Sequence, residues 1–148
     1  GLGLAEAAAI INKVAGSFPG RVGVHVCFGN NAGRPMANRR FDRLMDAMQA
    51  LSCDQLVLEF ANREMADVEL LGPLSAKFDI AAGVIDVKNF HLETTEEVAE
   101  RIQRCLEFVP AEKLSITGDC GFSALPRYLA RQKMQAMVAG ARQVRETL

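Results

Sequence analysis

Residues 23–28 read GVHVCF, and the fold turns on what this stretch is for. Side chains alternate between faces along a strand, so His25 and Cys27 point the same way with only Val26 between them. An imidazole and a thiol held side by side are either half of a zinc site or ordinary packing. If they are ligands, the other donors must come from distant parts of the chain, and the fold must bring them there.

Outward from GVHVCF, short apolar runs alternate with longer segments of helical period. RVGVHVC (21–27), QLVLEF (55–60), IAAGVIDV (80–87) and KLSITGDC (113–120) are almost continuously hydrophobic. That is the pattern of strands buried on both faces of a parallel sheet. Helical segments cover 41–53, 95–109 and 127–148, and GLAEAAAIINKVAG (3–16) opens the chain as a helix without an initiating methionine, as a fragment would. Thr94 and Glu97 fit a capping box, and Pro110 marks the end of that helix. Val98, Ile102, Cys105 and Leu106 share its inner face, so Cys105 belongs to the core, and Cys53 likewise falls in a helical pattern. ADVELLG (66–72) reads as a short helix ending before Pro73. No low-complexity stretch or linker interrupts the chain, so residues 1–148 read as a single domain.

Four successive βα units predict an α/β fold with a parallel sheet. Length and composition suit a small doubly wound open sheet of the flavodoxin-like kind. The positions of the reactive residues suit half of a (β/α)8 TIM barrel, whose eight units take about 250 residues. His25 and Cys27 end the first strand, Glu59 ends the second and Cys120 ends the fourth. On a barrel all four converge at the C-terminal rim, where such enzymes keep their chemistry. On a flat sheet the first and fourth strands are too far apart to share an ion. One nitrogen, two thiolates and a carboxylate form an ordinary zinc set. Each also has a plainer reading: a strand-end cysteine as a small apolar residue, and Glu59 facing solvent or paired with Arg63.

Composition narrows the function classes. The 148 residues are 49% apolar with a net charge of −1, which gives no broad attraction to nucleic acid or anionic membrane. No apolar run approaches the roughly 20 residues of a membrane span, and nothing at the start reads as a signal peptide. Four widely spaced cysteines favour metal binding or burial over disulfides, which fits a cytoplasmic protein.

HVC, a strand ending in Glu, GVIDV and PAEKLSITGDCGF together resemble the C-terminal half of the cobalamin-independent methionine synthase catalytic barrel and its short single-domain relatives. The resemblance runs from about residue 21 to the end of the chain. It implies a Zn2+ cofactor bound by His25, Cys27, Glu59 and Cys120, with the glutamate able to give way as a substrate thiol enters. The activity implied is methyl transfer, from methyltetrahydrofolate or a similar donor, to a zinc-activated thiol such as homocysteine. Asp86 matches the family and is expected to bind substrate, as is Asn30 in the loop GNNAGRPMANRR (29–40), where Arg34, Arg39 or Arg40 could also reach an anionic group. Asp119 would orient a ligand from behind.

The match departs from the family at two places. Lys88 stands where the family carries a histidine that protonates the leaving group. Lys88 therefore either takes over as the acid, pairs with an anionic group of the substrate, or is an exposed loop lysine. FGNNAGRP (28–35) is closer to the short relatives, which include enzymes joining coenzyme M to epoxides. The competing readings are thus a thiol–epoxide transferase of that type, a domain with a purely structural zinc, and a metal-free barrel of the uroporphyrinogen decarboxylase type. His91 is expected at the surface. The expected partners are a thiol and a methyl donor, together with an N-terminal barrel half or a second copy of the chain to close the barrel.

Overall fold

The computed structural model describes residues 3–31 and 33–148. Four parallel strands form one sheet in the order β1-β2-β3-β4: β1 Gly23–Val26, β2 Gln55–Glu59, β3 Asp79–Ile85 and β4 Leu114–Gly118. The strands are neighbours in sequence order, with no reversal. A doubly wound sheet needs a reversal, so the flavodoxin-like alternative falls away. The helices are α1 Leu4–Ala15, α2 Met45–Gln49, α3 Leu71–Ser75, α4 Thr95–Leu106 and α5 Arg127–Arg145.

The core lies between the sheet and these helices, and it is densest around the middle strands. Leu56, Leu58, Ile80, Ala82, Val84 and Ile85 are almost wholly buried. The expectation of strands buried on both faces holds for β3, whose residues after Asp79 are all buried. It fails for β1, where Gly23 and His25 are exposed while Val24 and Val26 are only half-buried. The reason is position: among the described residues β1 pairs only with β2, and no strand lies along its other edge.

Gly83 is needed in β3 because a Cβ there would stand 2.4 Å from Asp119 Oδ1 and 3.0 Å from the Leu58 carbonyl oxygen. The β3–β4 register slips between Gly83 and Ile85, an irregularity of the kind that re-aims a strand end. The capping box of α4 forms as expected: Glu97 N donates to Thr94 Oγ1 at 3.1 Å and Thr94 N to Glu97 Oε2 at 2.7 Å. Cys105 is fully buried.

Two local expectations are corrected. Cys53 lies outside any helix, in the segment leading to β2, because α2 stops at Gln49. Pro73 sits inside α3 rather than beyond a helix. It occupies the first turn, where its missing N–H would have had no partner within the helix.

Candidate metal centre

Three of the four expected ligands meet at the C-terminal ends of the strands. A ring nitrogen of His25 and the sulfurs of Cys27 and Cys120 all lie within 4.8 Å of one another. Neighbouring strands stand about 4.8 Å apart, so the first and fourth strands of a flat sheet would be separated by roughly 14 Å. The sheet is therefore curled, as a barrel wall is. His25 Nδ1 lies 3.0 Å from the Val57 carbonyl oxygen. A carbonyl can only accept, so Nδ1 carries the proton and Nε2 keeps its lone pair for a cation.

Glu59, the last residue of β2, is completely buried. Its Oε1 accepts from Phe28 N at 3.2 Å, and its Oε2 lies 3.8 Å from Cys120 Sγ. The same Oε2 is in direct contact with Lys88 Nζ, and both side chains are fully shielded from solvent. Lys88 is therefore not an exposed loop lysine, and Arg63 is not the partner of Glu59. Arg63 instead pairs with Asp67 and lies over the rings of Phe28 and Phe41.

Burial pushes the Cys120 thiol up to about 12; its hydrogen bond with Cys27 adds to this, while the nearby Lys88 charge pulls it back. A divalent cation reverses that balance because it favours the thiolate. One imidazole and two sulfurs are a borderline-soft donor set of the kind zinc takes, with a carboxylate adjoining, so the residues present fit the ion.

The remaining expected residues surround this cluster. Asp119, between β4 and Cys120, accepts from the backbone N–H groups of Phe60 (2.9 Å), Ala61 (3.0 Å) and Asn62 (2.6 Å). It thereby fixes the turn that follows Glu59. Burial pushes its carboxyl up to about 7 against the pull of those three donors. Asp86 accepts from Asn62 Nδ2, Asn89 Nδ2 and Lys88 N, the last at 2.8 Å, so its carboxylate is engaged within the chain. Asn30 joins two loops: its Nδ2 donates to the Gly121 carbonyl at 3.2 Å, and its Oδ1 accepts from Gly33 N at 3.3 Å. Arg39 donates to Asn62 and Arg40 pairs with Asp42, whereas His91 is exposed beside Glu97.

Sequence reasoning missed a second buried ion pair. Lys133, fully buried on α5, donates to Glu93 Oε2 and to the Asp86 carbonyl, both at 2.8 Å, and also to the His91 carbonyl. It anchors the segment after β3 that carries Lys88. The available signal was its place in the inward stripe of Leu129, Ala130, Gly140 and Val144, where a lysine needs a partner.

The family described as "Cobalamin-independent synthase, Catalytic domain" matches residues 4–143. The chain is 36% identical over 138 residues to a methionine synthase of Pyrococcus horikoshii, covering 93% of this chain and 38% of the relative. It is 37% identical over 152 residues to a 2-hydroxypropyl-CoM lyase of Xanthobacter autotrophicus, covering 84% and 40%. Among solved structures it resembles a B12-independent methionine synthase from Shewanella sp. W3-18-1 in complex with selenomethionine. The TM-score is 0.82 at 28% identity, over 95% of this chain and 43% of that one. The chain thus spans about two-fifths of the length of the relatives it matches.

Proposed function

Because the chain belongs to the cobalamin-independent synthase catalytic-domain family, we propose that it forms part of a zinc-dependent enzyme that methylates a thiol such as homocysteine, in methionine biosynthesis. The observation that carries this reading is the convergence of His25, Cys27 and Cys120 within 4.8 Å. A bound zinc ion would hold an incoming thiol as its thiolate near neutral pH. The residues of the chain would do the rest. His25, steadied by the Val57 carbonyl, offers its free nitrogen. With a cation bound, Cys27 and Cys120 would add two thiolate charges and Glu59 a carboxylate that it shares with Lys88, a donor-rich setting that would leave a thiol sulfur bound beside them electron-rich and still nucleophilic. Its lone pair would form the new S–CH3 bond as the donor's N–CH3 bond breaks, the bonding pair staying on the donor nitrogen, which takes up a proton in place of the one the thiol released. Asp119 holds the turn behind Glu59, and Asn30 and Asp86 shape the rim through their contacts within the chain.

The outer edges of the sheet favour completion by the rest of a barrel, or by a second copy of this chain. Ile10, Val14 and Phe18 are exposed apolar residues that line one groove with Val24 and His25 on the β1 side. All four cysteines are free, which fits the reducing cytoplasm. Among the described residues, no helix is long and apolar enough to cross a membrane.

A second reading has one observation in its favour, the 37% identity to a 2-hydroxypropyl-CoM lyase. The same donor set would serve a thiol that adds to an epoxide. The deciding experiment supplies the complete, zinc-loaded protein with homocysteine and methyltetrahydrofolate, and separately with coenzyme M and epoxypropane. Methionine from the first pair is expected. Product from the second pair alone would transfer the assignment to thiol–epoxide chemistry.

A further inference from the structure

We propose that Lys88 is a positioning residue that competes with the metal for the Glu59 carboxylate, and so makes Glu59 the displaceable member of the site. The inference rests on the zinc reading above and adds a residue to it. Glu59 Oε1 is held by Phe28 N at 3.2 Å, while Oε2 touches Lys88 Nζ and lies 3.8 Å from Cys120 Sγ. A single carboxylate oxygen thus stands between the protein's own buried cation and the Cys120 sulfur. His25, Cys27 and Cys120 already come together without it.

Lys88 has little freedom to leave. Its backbone N–H is bound to Asp86 Oδ1 at 2.8 Å. Its carbonyl oxygen backs onto Gly33, where a Cβ would come within 2.6 Å, and Gly33 holds a φ of +82° that other residues rarely adopt. With both side chains shielded, neither charge can be stranded cheaply. With a metal bound, Lys88 would hold the Glu59 carboxylate back and so weaken its hold on the ion. Were another donor to replace Glu59, the carboxylate would fall back on Lys88 instead of becoming an unpaired buried charge. A histidine at this place would be a weaker and pH-dependent counter-ion.

The test is a zinc-affinity measurement on the complete protein, by competition with a chromophoric chelator. It compares wild type with Lys88→Met, Glu59→Gln, the double variant, and Cys120→Ser as a control for the site itself. Lys88→Met is expected to bind zinc about tenfold more tightly or better, because Glu59 is left with the metal as its only cation. Lys88→Met is also expected to melt lower than wild type without metal, and to gain more from zinc than wild type does. Added to Glu59→Gln, it should change zinc affinity by less than about twofold, since coupled residues do not act additively. Lys88→Arg, which keeps the charge, should bind zinc as wild type does. If Lys88→Met does not fold without metal, Lys88→Gln serves in its place, and a smaller gain of the same sign is expected.

An unchanged affinity would overturn the proposal. So would an equal gain in the Glu59→Gln background, which would reduce Lys88 to a repelling charge acting through space. Failure of the underlying zinc reading would look different: wild type would bind no zinc, or Cys120→Ser would bind it as well as wild type does.

Discussion

The middle strands and the outer strands of this sheet carry their polar residues in different ways. β2 and β3 run through the packed core and lead into Glu59, Asp86 and Lys88: Glu59 and Lys88 pair with each other, and the Asp86 carboxylate accepts from Asn62, Asn89 and the Lys88 N–H. The outer strands β1 and β4 lead into His25, Cys27 and Cys120, which are exposed or half-buried. The difference teaches where stability and chemistry reside. A closed network of charges sets the shape of the strand ends, and an open set of soft donors at the edges is left for a ligand. Disturbing the first should cost stability, with an effect on binding only where it touches Glu59, and disturbing the second should cost binding.

The sharpest way to break this contrast is Lys133→Met, in the network behind β3. It leaves Glu93 in the core with only the Asp86 N–H and the more distant Arg101, at 3.5 Å, as partners, and about 3 kcal/mol of stability should be lost in urea unfolding. A cost below about 1 kcal/mol would mean that the buried pair is not what holds this region. Asp119→Ala comes next. Three backbone N–H groups lose their acceptor, at about 1–3 kcal/mol for an orphaned donor, so at least about 2 kcal/mol should go. Because the turn after Glu59 loosens with it, zinc affinity should fall too, and unchanged affinity would separate Asp119 from the site.

Thr94→Ala probes a region remote from the metal cluster. It removes one half of the α4 capping box and should cost about 1 kcal/mol with no effect on zinc. The smallest effect expected near neutral pH belongs to Cys105. Burial raises its thiol from 9.0 to about 12. The unfolded chain therefore gives up this proton first, so the contribution is intact below pH 9 and is lost progressively as pH rises from 9 toward 12. The native protein should leave Cys105 unmodified by iodoacetamide, and Cys105→Ala should flatten the alkaline fall in stability.

Much of this was legible in the sequence, for physical reasons. Continuous Val- and Ile-rich runs give strands, and the TTEE start gives α4, because both signals are local. The placing of His25 and Cys27 at one strand end, and Cys120 beyond another, was enough to favour a curled sheet. The partner of Glu59 was not legible. Arg63 was nearer in sequence, yet Lys88 reaches Glu59 from 29 residues away, and only the β2–β3 register decides between them. Lys133 and Glu93 are likewise 40 residues apart, and they meet only because α5 packs against α4 and β3. The exposed alternation of β1 was misjudged because hydrophobicity reports what a strand is built to bury, not whether its cover lies within this chain.

The most direct test of the account is elemental analysis for zinc, on wild type and Cys120→Ser prepared without added metal. About one zinc per chain in wild type, lost in the well-folded variant, is the predicted result. Well-folded wild type without zinc, or a variant that retains it, would contradict the reading and return His25, Cys27 and Cys120 to the role of ordinary packing residues.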